Sequence, residues 1–133
     1  MIKTYCNDTE LINMAKAAMK NSYSPYSNFA VGAALITDSG KVYTGCNVEN
    51  ASFGGTICAE RTAALKAVSE GERKIEHLAI VSSSGDLTFP CGICRQFLSE
   101  FMEEDGRVIL EDSVHRIKVY TLGELLPESF SLK

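Results

Sequence analysis

Apolar positions recur at helical spacing in three stretches and cluster into short runs in five others, and their order along the chain sets the expected fold. Leu11, Ile12, Met14, Ala15, Ala18 and Met19 share one face of a helix that Asp8-Thr9-Glu10 can open and that runs through Lys20. Residues 22–28, rich in Ser and carrying Pro25, read as a loop. Residues 29–37 read as a strand, 38–41 as a turn and 42–47 as the returning strand, so that the pair forms a hairpin. Asn50, Ser52, Gly54 and Gly55 make residues 49–56 a loop. From Cys58 to about Glu70 the pattern is again helical, with Ala63, Ala64, Leu65, Ala67 and Val68, and Gly71 is the stop. Residues 75–82 suit a buried strand and 83–88 a loop. Pro90 or Cys91 opens a third helix carrying Phe97, Leu98, Phe101 and Met102. Residues 108–110 and 117–120 are short strands around a polar turn, and 122–133 form a tail. The order α-β-β-α-β-α-β-β predicts an α/β fold, a three-layer α/β/α sandwich with a mixed five-stranded sheet. No repeat, low-complexity stretch or linker interrupts it, so residues 1–133 read as one domain.

A length of 133 residues and a hydrophobic content of 45% suit one packed core. The net charge of −4 argues against binding long nucleic acid, where Lys and Arg must neutralise many phosphates. No apolar run approaches the roughly 18 residues needed to cross a membrane. Met1-Ile2-Lys3-Thr4-Tyr5 lacks the apolar core of a signal peptide, so a cytoplasmic location is expected. Five cysteines in a reducing compartment favour metal binding over disulfides. Cys6 and Cys46 are expected to be small, buried, reduced side chains.

The remaining three cysteines carry the chemistry. Cys91-Gly92-Ile93-Cys94, preceded by Pro90, lies some thirty residues beyond Cys58-Ala59-Glu60. Zinc takes deprotonated sulfur or nitrogen ligands in a tetrahedron, and a catalytic site supplies three and leaves the fourth position for water. Zinc enzymes that deaminate nucleobases carry His-x-Glu followed by Pro-Cys-x-x-Cys, with a three-cysteine variant. Cys58, Cys91 and Cys94 fit that variant, and Glu60 can move protons. The three-residue spacing puts Cys91 and Cys94 on one side of a helix's first turn. Cys58 starts another helix, and the partial positive charge at both helix starts favours thiolates. Zinc(II) with three thiolates carries a net charge of −1, which weakens the metal as a Lewis acid unless positive charge compensates. Arg61 can hydrogen-bond a ligand sulfur and so supply that charge; Arg95 is a second, weaker candidate. A closed structural site would need a fourth ligand from Cys46, Cys6, His77 or His115, none of which has a partner at short ligand spacing.

At this point the chain resembles the cytidine deaminase family, in its small homotetrameric form. The resemblance covers nearly the whole length. It rests on the stretch from Ser24-Pro25-Tyr26 to Leu35, on Gly45-Cys46-Asn47-Val48-Glu49-Asn50-Ala51-Ser52-Phe53-Gly54, on the two cysteine motifs, and on Leu125-Leu126-Pro127-Glu128-Ser129-Phe130. The resemblance implies that Asn47 and Glu49 hold the ribose and that Phe29 packs against the pyrimidine. It also implies that the backbone of Ala59 meets the base edge, and that Phe130 reaches into a neighbouring subunit's site. Phe53 stands where many relatives have Tyr, and the absent hydroxyl removes one contact at a subunit interface.

The reaction expected is hydrolytic deamination of cytidine and 2′-deoxycytidine to uridine and 2′-deoxyuridine with release of ammonia, a step of pyrimidine salvage. One zinc per chain is expected. The partners expected are a small nucleoside and other copies of the chain, with no nucleic acid and no membrane. The nearest alternative is the same chemistry on another cytosine compound, such as the antibiotic blasticidin S. A polynucleotide-editing deaminase would need a strip of Arg, Lys and aromatic residues. A zinc-stabilised binding module is the alternative of another class, in which Glu60 would be idle.

Overall fold

Asn7 caps the first helix, α1 (Asp8–Met19), its Oδ1 accepting from the Glu10 N–H at 2.8 Å. The computed structural model describes residues 6–132. Met1-Ile2-Lys3-Thr4-Tyr5, on which the reading of the leader rests, and Lys133, the end of the tail, lie outside the described residues. After α1 come β1 (Val31–Thr37), β2 (Val42–Cys46), α2 (Ala59–Ser69), β3 (Ile75–Ser82), α3 (Gly92–Ser99), β4 (Met102–Glu111), β5 (Ile117–Thr121) and a short α4 (Leu122–Leu125).

The five strands form one sheet in the order β2-β1-β3-β4-β5. β1 is antiparallel to both of its neighbours, β3 and β4 are parallel, and β4 and β5 are antiparallel. A parallel pair needs a crossover, and α3 provides it. All seven residues of β1 are buried, as expected for a strand covered on both faces. On one face Leu11, Ile12 and Ala15 of α1 pack against Ala34, Ala79, Val81 and Ile109. On the other, Ala63, Ala64 and Ala67 of α2, Leu98 of α3 and Leu122 of α4 pack against Leu35, Leu78, Ile80, Val108 and Leu110. The mixed five-stranded sheet between two helical layers is the architecture expected from the order of elements.

Several boundaries differ from the sequence reading. β1 starts two residues after Phe29, because Asn28 adopts a left-handed φ of 56° and turns the chain before it joins the ladder. The third helix ends at Ser99, so Phe101 and Met102 are not helical. Met102 instead pairs with Ile75, and β4 then slips register before the expected strand at 108–110. Phe101 still meets Phe97 in a tilted contact, with ring centroids 5.6 Å apart, which is why the helical periodicity runs past the helix end. The tail begins with α4, held by a capping box in which Thr121 Oγ1 accepts from Glu124 N–H at 3.1 Å and the Glu124 carboxylate accepts from Thr121 N–H at 2.9 Å. Cys6 and Cys46 are half-buried rather than buried, and both are free thiols.

One close contact ties the sheet to the functional end of the molecule. A Cβ on Gly45 of β2 would stand 2.6 Å from Ala59 O and 2.6 Å from Ala63 N, both backbone atoms of α2. Only a glycine lets the helix sit this close to the strand. Gly45→Ala is therefore expected to lower the unfolding free energy by about 1–3 kcal/mol in urea denaturation, through overpacking. A variant as stable as the parent would show that α2 can move off the sheet without cost.

Candidate active site

Sheet register determines where the site forms. Val31 lies opposite Ser82 and Gly32 opposite Cys46, so the start of β1 is level with the ends of β2 and β3. The segments leaving those strands lead to residues 47–58 and 83–91. The two helices that follow begin at the same end of the sheet. Between β2 and α2 the chain is pinned by a Val48–Ile57 pair, with N–H···O distances of 2.9 and 3.0 Å, and by Glu49 N–H to Tyr23 O at 2.8 Å. These bonds fix the entry to α2 and hence the position of Cys58.

Cys58 and Cys91 are the N-cap residues of α2 and α3, and neither side chain caps its own helix. Both sulfurs are thereby free to turn toward a shared point. The sulfurs of Cys58, Cys91 and Cys94 lie within 4.8 Å of one another, and those of Cys58 and Cys91 are 3.8 Å apart. Among the described residues no other group of His, Cys, Asp or Glu side chains has a metal-holding arrangement, and none of Cys6, Cys46, His77 and His115 joins this one. Pro90 precedes the N-cap rather than occupying the first helical turn.

The electrostatics of the cluster fit a cation. Cys58 is held down to about 5 by a hydrogen bond from Cys94, against burial, with Arg61 and Cys91 assisting. The Cys94 thiol is pushed up by its hydrogen bond to Cys58 and by burial. A Cys58 sulfur held as thiolate by its neighbours is an anionic donor that a metal ion can take up, displacing the proton that Cys94 holds. Arg61 Nη2 is 3.5 Å from Cys58 Sγ and 3.4 Å from Thr56 O, while its Nε is buried without a partner among the described residues. A guanidinium spent in this way suits a site left with excess negative charge. Arg95, the second candidate for that role, does other work. Its Nε donates to Pro90 O and its Nη1 to Leu125 O, both at 2.7 Å, tying the approach to α3 to the end of α4.

Glu60 sits in the first turn of α2 with 4% of its surface exposed. Burial raises its carboxyl above the usual range, and the Cys58 thiolate adds to the rise. Ala59 is fully buried in the same turn, where backbone N–H groups lack helical partners.

Asn47 and Glu49 both reach back to the segment 22–31. Asn47 Oδ1 accepts from Val31 N–H at 2.9 Å and from Ser22 Oγ, and Nδ2 donates to Phe29 O at 2.8 Å. Glu49 Oε1 accepts from Tyr26 N–H at 2.9 Å and Ser27 N–H at 3.2 Å, while Oε2 accepts from the Ser27 hydroxyl. The Ser27 hydroxyl, with the two N–H bonds beside it, holds the Glu49 carboxyl below its ordinary value, against burial. A carboxamide has two donors and two acceptor sites, and a carboxylate about four acceptor sites. Among the described residues Asn47 thus keeps one N–H free and Glu49 one acceptor site. A spare donor and a spare acceptor, two residues apart in the chain, are the complement of a hydroxyl group. Tyr26 and Ser27 lie in the first stretch on which the resemblance rests, but the sequence assigns no role to them or to Ser22, because Ser-Pro-Tyr-Ser by itself reads as loop chemistry.

Phe29 is partly exposed just ahead of β1. Phe130 is 67% exposed, its carbonyl accepting from Gln96 Nε2 of α3 at 3.0 Å. Phe53 is 74% exposed and meets Tyr26 edge-on, with centroids 5.8 Å apart. Tyr26 and Phe53, with Ser27, Glu49 and Thr56, line an open cavity of about 320 Å³, which neither Phe29 nor Phe130 lines.

Comparison with known proteins agrees with this geometry. A family model of the cytidine and deoxycytidylate deaminase zinc-binding region matches residues 6–111. The chain is 44% identical to a cytidine deaminase of Sporosarcina psychrophila over 122 residues, covering 92% of this chain and 90% of that protein. It is 46% identical to a cytidine deaminase of Halalkalibacterium halodurans over 121 residues, covering 91% and 92%. Among solved structures, the cytidine deaminase from Burkholderia pseudomallei superposes with a TM-score of 0.88 at 44% identity, over 93% of this chain and 99% of that one.

The three sulfurs fit one zinc ion per chain. Cys58→Ala, Cys91→Ala and Cys94→Ala are each expected to purify with far less than one zinc per chain by elemental analysis, while Cys46→Ala keeps the full content. Zinc retained by all three variants would place the metal elsewhere.

Proposed function

The chain belongs to the cytidine and deoxycytidylate deaminase family, and from that premise we propose that it hydrolyses cytidine and 2′-deoxycytidine to uridine and 2′-deoxyuridine, releasing ammonia. The observation that carries this reading is the buried Glu60 beside a three-sulfur cluster with no fourth protein ligand among the described residues. In this reading Cys58, Cys91 and Cys94 hold zinc and Arg61 steadies the Cys58 sulfur. Zinc, when bound, lowers the pKa of a water so that a nucleophile is available at neutral pH. Glu60 takes a proton from the attacking water and passes it to N3 of the base. It then takes the proton of the hydroxyl now on C4 and delivers it to the amino group, so that the C4–N bond breaks, ammonia leaves and the C4 carbonyl forms, while N3 keeps its proton. A carboxyl raised by burial suits a group that must both hold and release a proton near neutrality.

The sugar is read by the free N–H of Asn47 and the free acceptor site of Glu49, which together satisfy one hydroxyl. Phe29 packs against the pyrimidine, and the first-turn backbone at Ala59 meets the base edge. Phe130, largely exposed in the single chain, completes the site of a neighbouring copy, and the assembly is a homotetramer. Residues 1–133 act as one catalytic domain, and its place is pyrimidine salvage in the cytoplasm. No helix among the described residues is long and apolar enough to cross a membrane.

Glu60→Gln is expected to keep its zinc and to lose at least about 10²–10⁴ in kcat on cytidine. A zinc-loaded variant with near-normal turnover would remove Glu60 from the chemistry. Cytidine is also expected to turn over much faster than its 5′-monophosphate, because the Glu49 carboxylate repels phosphate and residues 47–56 carry no Arg or Lys to hold one. Equal rates on the two would contradict the assignment of the sugar side.

A further inference from the structure

The segment 24–29 closes around one carboxylate. Asn28 N–H donates to Ser24 O at 3.0 Å, and Asn28 takes a left-handed φ of 56°. This turn aims two successive N–H groups, of Tyr26 and Ser27, at Glu49 Oε1. The Ser27 hydroxyl then makes two bonds of its own. It donates to Glu49 Oε2 and accepts from Phe29 N–H at 3.0 Å. One hydroxyl therefore joins the carboxylate that faces the sugar to the backbone of the aromatic residue that faces the base. Asn47 closes the same circuit from the other side, since its Nδ2 donates to Phe29 O at 2.8 Å.

From this circuit we infer that Ser27 is a positioning residue for substrate binding: its hydroxyl sets the orientation of the Glu49 carboxylate and its distance from Phe29. The inference rests on the reading of Glu49 as the sugar-side acceptor. Its physical basis is that Glu49 has one acceptor site left, on the oxygen that Ser27 also engages. Remove the hydroxyl, and that oxygen has no fixed direction in which to offer its remaining lone pair. The two backbone N–H bonds engage only Oε1, one of them at 3.2 Å, and the terminal torsion is soft for a carboxylate, so without the hydroxyl the whole group can tilt about those two bonds and carry Oε2 with it. The released Phe29 N–H loses its acceptor at the same time. The expected loss is therefore in capture of nucleoside and not in the proton transfers at Glu60. The low carboxyl pKa of Glu49 agrees with an anion held by the same three donors. A bond from a hydroxyl to a carboxylate is of the stronger, charge-assisted kind, and its removal corresponds to about a tenfold change in affinity.

The test is a double-mutant cycle on zinc-loaded protein, with cytidine as substrate and with zinc content and thermal midpoint measured for each variant. Ser27→Ala is expected to raise KM about tenfold with kcat within about twofold and zinc unchanged. Ser27→Thr, which keeps the hydroxyl, recovers most of the loss. Glu49→Gln raises KM, and in that background Ser27→Ala adds no more than about twofold. If Ser27→Ala does not fold, Ser27→Cys, similar in volume and a weak donor, is expected to show the same KM pattern. Should Glu49→Gln leave KM unchanged, the sugar-side reading of Glu49 fails and this inference fails with it. Should Glu49→Gln raise KM while Ser27→Ala does not, only the role of Ser27 is overturned. A Ser27→Ala loss that falls on kcat, or that persists in full in the Glu49→Gln background, assigns Ser27 to folding alone.

Discussion

Antiparallel pairing of β1 with both of its neighbours brings the start of one strand level with the ends of two others, and the site depends on that register. A one-residue slip would turn every side chain of β1 to the opposite face and move Phe29 away from Asn47. With the register fixed, the chain leaving β2 and the chain leaving β3 both return as helices that begin at the same end. Helix N-termini point unpaired N–H groups and partial positive charge at that end. Placing cysteines at the two N-caps, with neither side chain capping its own helix, directs sulfur to the place where thiolate is most favoured. Gly45 permits the close approach of α2 that this convergence needs.

Burial then divides the work among groups of like charge. Burial, with the Cys58 thiolate beside it, raises the Glu60 carboxyl, while the hydrogen bond from Cys94 lowers Cys58 and raises Cys94 in turn. Arg61 faces the thiolate from the side. At the proposed sugar side the logic is opposite: Glu49 is also buried, yet three donors around it hold its carboxyl below its ordinary value. The carboxyls of two buried glutamates in one site are thus moved in opposite directions, one up by desolvation and the other down by hydrogen bonds. That difference matches the roles proposed for them, a proton carrier at the base and a fixed acceptor at the sugar.

Much of this is legible in the sequence. The α-β-β-α-β-α-β-β order follows from periodicity, and β3 is found at its observed ends. Cys58-x-Glu60 and Pro90-Cys91-x-x-Cys94 mark the cluster through spacing alone. The errors have local causes. Phe101 and Met102 continue the helical pattern because they pack beside the helix after it has ended. α4 is four residues long, too short for periodicity, and only the Thr121-x-x-Glu124 capping signature marks it. Arg95 ranks below Arg61 by sequence but stays a candidate, since both follow a cysteine motif; only the fold aims one at sulfur and the other at Pro90 and Leu125. The clamp around Glu49 involves contacts more than twenty residues apart, between loop positions without periodicity, and no local signal announces it.

The central claim is that zinc at the three cysteines and cytidine hydrolysis belong to the same site. The most direct measurement is the ultraviolet absorbance of cytidine incubated with protein stripped of metal and reloaded with zinc in known fractions. The account predicts that loss of the cytidine band rises in proportion to zinc bound and saturates at about one ion per chain. Full zinc occupancy with the band unchanged would contradict it.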